Sequence, residues 1–250
     1  MNQEKPLGVF SGSRISELFV AQQSPYVMGK TAQNYILDLA SEVVTSERRG
    51  LSSKEMAHGI INQIEAFELI VKPLYSDAEW SDKATPINDN LWVTPDICIG
   101  DYRVDVKCPY YIDTFYEYLI NTPKKFIFQM QTQLLESKGD EGAILYYLTS
   151  PVSDEFGNKL EYPFPITDRY SYYIIKKDEG VQEKILGGVE DATKKRDYLI
   201  EMMLNAPILD IDEFFYSWQK NKYRELKKAY NILNIDNIIR VNNKFYYSHV

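Results

Sequence analysis

Cysteine is nearly absent from this chain. Its 250 residues include two, Cys98 and Cys108. Two thiols cannot hold an iron–sulfur cluster that needs four ligands, and they supply no disulfide framework. They flank one short segment, so a single bridge between them is conceivable. The scarcity fits a reduced, cytoplasmic protein better. Long apolar runs are also missing. The opening residues, MNQEKPLGVF, carry none of signal-peptide length, and no stretch approaches the length of a membrane span. There is no internal repeat and no low-complexity tract. Nor is there an excess of positive charge. With 28 basic and 36 acidic residues the formal net charge is −8, which argues against a protein that coats nucleic acid. It leaves open one whose basic residues are gathered in a channel.

What remains is the composition of an ordinary globular protein, 44% hydrophobic and 26% charged. Its length fits one domain with elaborations, or a core with a small appendage. Twenty tyrosines stand out. Most are expected at the edges of the core, and several suit a polar groove or stacking on bases.

The most informative segment is 94–109, TPDICIGDYRVDVKCP. Side chains alternate along a strand, so Val104 and Val106 face one way and Asp105 and Lys107 the other. Gly100-Asp101 marks a turn, and Asp96 arrives on the preceding arm of the hairpin. Two carboxylates and an ammonium therefore converge at one end. They would repel unless a cation sat between the acids. That set suits metal-assisted phosphodiester hydrolysis, with the carboxylates holding Mg²⁺ and the lysine aligning the attacking water.

Periodicity predicts helices over 11–22 (Ile15, Leu18 and Phe19 inward), 31–45 (Tyr35, Ile36, Leu39 and Val43 inward) and 53–71. The last has a buried stripe of Met56, Ile60, Ile64, Phe67 and Ile70 or Val71. Residues 72–93 read as irregular, with strand signals at Leu74-Tyr75 and Leu91–Val93. Segment 110–121 is partly helical. Pro123 opens a helix running to about Ser137, with Gln129 and Gln133 one turn apart and looking at the same place. Buried strands are expected at 142–150 and 170–176, separated by a proline-punctuated loop over 151–165. A charged helix follows over 181–204. Beyond Pro207 an amphipathic helix is expected over 212–233, with Phe215, Trp218, Leu226 and Tyr230 on one side and Lys220, Lys222, Arg224, Lys227 and Lys228 on the other. Its basic side is a solvated face or an arm contacting DNA or another subunit. A hairpin around Asn242-Asn243 closes the chain. The element order predicts an α/β core.

TPD…DVKCP, followed by FIFQMQTQLL and ILYYLTSP, resembles the lambda-exonuclease-type (YqaJ-like) viral recombinase nucleases of the PD-(D/E)XK superfamily. The resemblance runs over roughly residues 5–204, from LGVFSGSRI to the helix after YYIIKKDEGVQEKI. It implies a restriction-endonuclease-like core, a mixed central sheet flanked by helices. Residues 1–204 would form the nuclease domain and 205–250 a helical C-terminal extension of unassigned role.

By that resemblance Asp96, Asp105 and the Val106 carbonyl bind Mg²⁺, with Mn²⁺ able to substitute, and Lys107 supports the nucleophilic water. The family more often has glutamate where Asp105 stands, so a small shift in metal position is implied. A family helix pattern, Gly-x-x-x-Glu-x-x-Ala, falls on Gly59, Gln63 and Ala66, which puts neutral Gln63 at the acid position. One tightly held Mg²⁺ and a weaker second one follow. A helix shifted to turn Glu65 inward would instead restore a two-metal site. The 5′-phosphate pocket maps onto Ser13, Thr94 and Gln129. Pro6 stands at its arginine position, and of the nearby cations Lys5 and Arg14, Arg14 is the better substitute because it adjoins Ser13.

The resemblance further implies 5′→3′ digestion of double-stranded DNA ends, a phage-type recombination system with a single-strand annealing protein, a trimeric ring, no membrane association and the cytoplasm of a bacterial host. Two other classes stay open at this point. A structure- or site-specific endonuclease would use the same residues, and a non-catalytic DNA-binding assembly protein would be a decayed relative, with Gln63 in its favour.

Overall fold

The computed structural model describes residues 5–20, 29–48, 53–149, 162–163 and 165–205, and the backbone of two strands at 238–241 and 244–247. The chain divides into two compact units. The larger comprises Met1–Lys5, Ser11–Ile15 and Gly50–Ile185, the smaller Pro6–Phe10, Ser16–Arg49 and Leu186–Val250.

The larger unit is built on a five-stranded sheet in the order β2-β5-β6-β7-β8. Its strands are β2 (Glu79–Trp80), β5 (Ile97–Ile99), β6 (Tyr102–Lys107), β7 (Glu141–Tyr147) and β8 (Tyr170–Lys176). β6 and β7 run parallel, with Asp105 opposite Ile144 and Lys107 opposite Tyr146, and the other neighbours are antiparallel. The sheet is therefore mixed, as expected. Alternation sends side chains into two cores. Val104, Val106, Cys108, Leu145 and Tyr147 pack on one face against Ala66, Phe67, Ile70 and Val71. Ile144 and Tyr146 pack on the other with Phe115, Met130 and Leu134. Those partners belong to α4 (Ile112–Ile120) and α5 (Lys124–Glu136). Strands β3 (Thr85–Asn88) and β4 (Leu91–Val93) form a separate hairpin that leads into Asp96.

Several expectations need correction. Helix α2 (Lys54–Ala66), capped by the Ser53 hydroxyl accepting from the Met56 N–H, leaves Met56, Ile60 and Ile64 about half exposed (50%, 49% and 51%). Its inward face is Gly59, Gln63 and Ala66 instead. A π turn at Phe67–Val71 then re-phases the helix, and Phe67, Ile70 and Val71 enter the core before α3 (Lys72–Leu74) ends it. Leu74-Tyr75 is thus the close of a helix, and the strand lies further on, at β2. β8 is an edge strand, with Tyr172 and Ile174 on an uncovered face. Gly12–Phe19 is a 3₁₀ helix preceded by the two-residue β1 (Phe10–Ser11). In it Ile15 and Leu18 are buried and Phe19 is half-buried, since three-residue spacing aligns the first two.

In the smaller unit α1 (Lys30–Thr45) buries Tyr35, Ile36 and Leu39. Val43 stays at the rim because it lies over Gly8, where a Cβ would come within 2.3 Å of Cγ2. From the part of α6 (Glu179–Asn205) in this unit, Arg196 donates to the Gly8 carbonyl at 2.6 Å. β9 (Ile238–Val241) and β10 (Lys244–Tyr247) pair antiparallel with Val241 opposite Lys244, around residues 242–243. The helix expected over 212–233, and most of the loop over 151–165, lie outside the described residues. Among those described, no helix is long and apolar enough to cross a membrane.

Candidate active site

Gly100, at φ +56°, closes the β5–β6 turn in the left-handed conformation that glycine adopts without cost. The turn sets Ile97 opposite Val104, so Asp96 lies just beyond the last paired residue of β5. The β5-side edge of β6 is then open at Val106. Its N–H donates to Asp96 Oδ2 at 2.6 Å, and its carbonyl accepts from Gln63 Nε2 at 2.9 Å. The same Gln63 nitrogen donates to Asp96 Oδ2 at 3.3 Å. Two side chains thus take the place of the missing strand, as unpaired backbone groups require.

Asp105 points to the other face and is fully buried. Its Oδ1 accepts from Gln129 Nε2 at 2.6 Å and from Gln133 Nε2 at 3.1 Å. These glutamines sit one turn apart on α5, the spacing that brings both to one carboxylate. Its Oδ2 makes a 2.6 Å ion pair with Lys107 Nζ and accepts no hydrogen bond of ordinary geometry. Lys107 also donates to Gln129 Oε1 at 3.1 Å and lies over the Phe126 ring at 4.9 Å.

Burial, and after it the Asp105 carboxylate, push Asp96 up to about 7 against the pull of Lys107 and the Val106 N–H. Burial works to lower the Lys107 ammonium, but Asp105 and Asp96 outweigh it and its pKa is raised. Lys107 is therefore a cation at neutral pH, a donor rather than a base.

The structure brings Gln63, Asp96, Asp105, Val106, Lys107, Gln129 and Gln133 together. Glu65 is turned elsewhere. It accepts from Tyr147 Oη at 2.5 Å, and Arg169 donates to the same hydroxyl at 2.7 Å. Sequence reading singled out neither Tyr147 nor Arg169. Their only signals are their places, at the end of a buried strand and immediately before the next. Ser13 and Thr94 are exposed and, among the described residues, hydrogen-bond to none of Asp96, Asp105 and Lys107; Ser13 bonds to Ser11 instead. They are near neighbours of one another all the same. Gly12 packs so closely on Val93 and Thr132 that a Cβ would come within 2.9 Å of Val93. Gly12 and Val93 are the chain neighbours of Ser13 and Thr94, and Arg14 is half-buried.

The donor set fits a hard divalent cation. It comprises two carboxylates and a main-chain carbonyl, all oxygen, with one buried carboxylate oxygen left without a hydrogen bond. Among the described residues no cluster of three acidic, histidine or cysteine ligands exists.

A mixed sheet covered by helices on both faces, with acids gathered where β6 loses its neighbour, defines the scaffold. Solved structures share it. An alkaline exonuclease (LHK-Exo) from Laribacter hongkongensis matches with TM-score 0.62 and 19% identity, over 79% of this chain and 92% of that one. The same exonuclease in complex with dAMP matches with TM-score 0.62 and 20% identity over the same shares. A phage-related exonuclease from Haemophilus somnus 129PT matches with TM-score 0.66 and 19% identity, over 78% of this chain and 96% of that one. The chain has the fold of these exonucleases. No protein-family model matches it, and no curated protein matches its sequence.

Proposed function

We propose that the protein is a Mg²⁺-dependent deoxyribonuclease of the PD-(D/E)XK type that digests double-stranded DNA from its ends. The observation that carries this reading is the buried Asp105–Lys107 pair beside Asp96, on a fold shared with two exonucleases. Asp96, Asp105 and the Val106 carbonyl would hold the ion, which supplies charge neutralisation for the phosphate and a more acidic water. Gln129 holds Asp105 and Lys107 in one geometry by donating to one and accepting from the other. The ammonium, kept protonated by both acids, orients the attacking water and offsets negative charge that grows on the phosphate. Ser13, Arg14 and Thr94 would bind a terminal 5′-phosphate.

Digestion from 5′ to 3′ in a phage-type recombination system, with a single-strand annealing protein as partner and a trimeric ring as the working form, completes the proposal. A ring would let an acidic chain grip DNA through a locally basic channel. Release of nucleotides from an end-labelled duplex, with Mg²⁺ or with a chelator, tests the reading. Wild type should release label only with the metal. Release undiminished by the chelator would contradict it.

A further inference from the structure

The Gln63 amide touches two oxygens that the proposed function assigns to the cation, Val106 O at 2.9 Å and Asp96 Oδ2 at 3.3 Å. Val106 O can only accept, and Asp96 Oδ2 already accepts from the Val106 N–H, so the contacting atom is the NH₂ group. A carboxylate at this position would face one carbonyl and one carboxylate with nothing to donate. The amide instead presents partial positive charge to both.

We propose that Gln63 is a built-in occupant of the cation position. Its amide holds the Asp96 carboxylate and the open Val106 carbonyl in place while no metal is bound, and it must swing out of their reach when a divalent ion enters. This deepens the proposed function and rests on it. Three consequences follow. The open edge of β6 is kept in order without metal, so the metal-free site is already formed. Metal affinity is reduced by what the two amide contacts are worth. Gln63 acts against the first ion and is no ligand of a second.

Gln63 lies on a helix whose setting is fixed away from the site. Glu65 is tied to Tyr147 and Arg169, and Phe67 is anchored in the core. Any movement of the amide must therefore be a side-chain rotation and not a turn of the helix.

The test is Mn²⁺ and Mg²⁺ calorimetry on the full chain, with thermal melting in chelator as an independent readout. Gln63→Ala should bind either ion about five-fold tighter or more, as expected for removing a competitor worth about one hydrogen bond. It should also melt lower than wild type without metal. Gln63→Asn, whose shorter amide cannot span both acceptors, should shift both readouts the same way and serves if the alanine variant folds poorly. Tighter binding with unchanged metal-free melting would overturn the strut role. Binding equal to or weaker than wild type would overturn the competitor role and make the residue a ligand or a bystander. Wild type that binds neither ion would contradict the nuclease reading itself, and that result is distinct from the other two.

Discussion

Under the proposed function, Lys107 is the residue on which the chemistry would turn. It reaches Asp105 and Gln129 at once and rests on the Phe126 ring. Lys107→Ala removes the ammonium and leaves both amide donors on Asp105 Oδ1 but no partner on Oδ2, so stability should fall by about 3 kcal/mol while DNA binding survives. Cleavage should fall about 10²–10⁴-fold, the usual weight of such a group. A rate near wild type in single-turnover assays would sink the assignment. The two acids should behave differently from each other. In sequence terms either one relieves repulsion when neutralised. In the structure only Asp96 gains on balance, because Asp105 is held in an ion pair with Lys107. Its carboxyl sits at about 7 in the folded protein, above the ordinary aspartate value. Between about pH 4 and 7 the unfolded chain loses this proton and the folded chain keeps it. Stability therefore declines as pH rises through that window and stays reduced above it. Asp96→Asn should raise the metal-free melting temperature at pH 8 and leave it nearly unchanged at pH 4, while weakening Mg²⁺ binding. Asp105→Asn should do the opposite to stability and cost about 3 kcal/mol, because it strands a largely buried ammonium. Chemical denaturation of both variants, with and without metal, separates the two.

At the scale of elements, α2 decides which residue meets the site. Its face toward β6 carries Gln63, and Glu65 is held by Tyr147. Gln63→Glu should keep or raise activity at high Mg²⁺, because an added carboxylate attracts the cation. Glu65→Ala should cost little. A Glu65→Ala loss as deep as that of Asp105→Asn, together with a harmful Gln63→Glu, would mean the other side of the helix is the working one. The exposure of its apolar stripe gives a second test. Ile60→Glu should alter stability by about 0.5 kcal/mol or less, whereas Phe67→Ala should cost about 3–5 kcal/mol in urea unfolding. The β5–β6 hairpin, α5 with its paired glutamines and the buried β7 were legible in the sequence, because each signal is local: a turn glycine, strict alternation, an i, i+4 pair, a continuous apolar run. The stripe on α2 misled because periodicity reports an apolar face without saying what covers it. Here Gly59 and Gln63 claim the inward side, and a π turn, which has no sequence signature, shifts the phase before the core residues. The Tyr147–Arg169 brace on Glu65 was illegible for another reason. It joins residues 82 and 22 positions apart, and only the assembled sheet brings them together.

For the whole molecule, the balance of charge and the shared fold point the same way. A chain with net charge −8 can hold DNA only through a local concentration of basic groups, and the proposed ring of three copies is one way to enclose it. Binding should then weaken steeply with salt despite the acidic total. The most direct measurement of the central claim is a gel assay with and without Mg²⁺ on three substrates: linear duplex with a 5′-phosphate, the same duplex with a 5′-hydroxyl, and closed circular DNA. The proposed function predicts rapid Mg²⁺-dependent loss of the phosphorylated linear duplex, slower loss of the hydroxyl form and an intact circle. Cleavage of the circle as fast as the linear duplex, or no metal-dependent loss of any of the three, would contradict it.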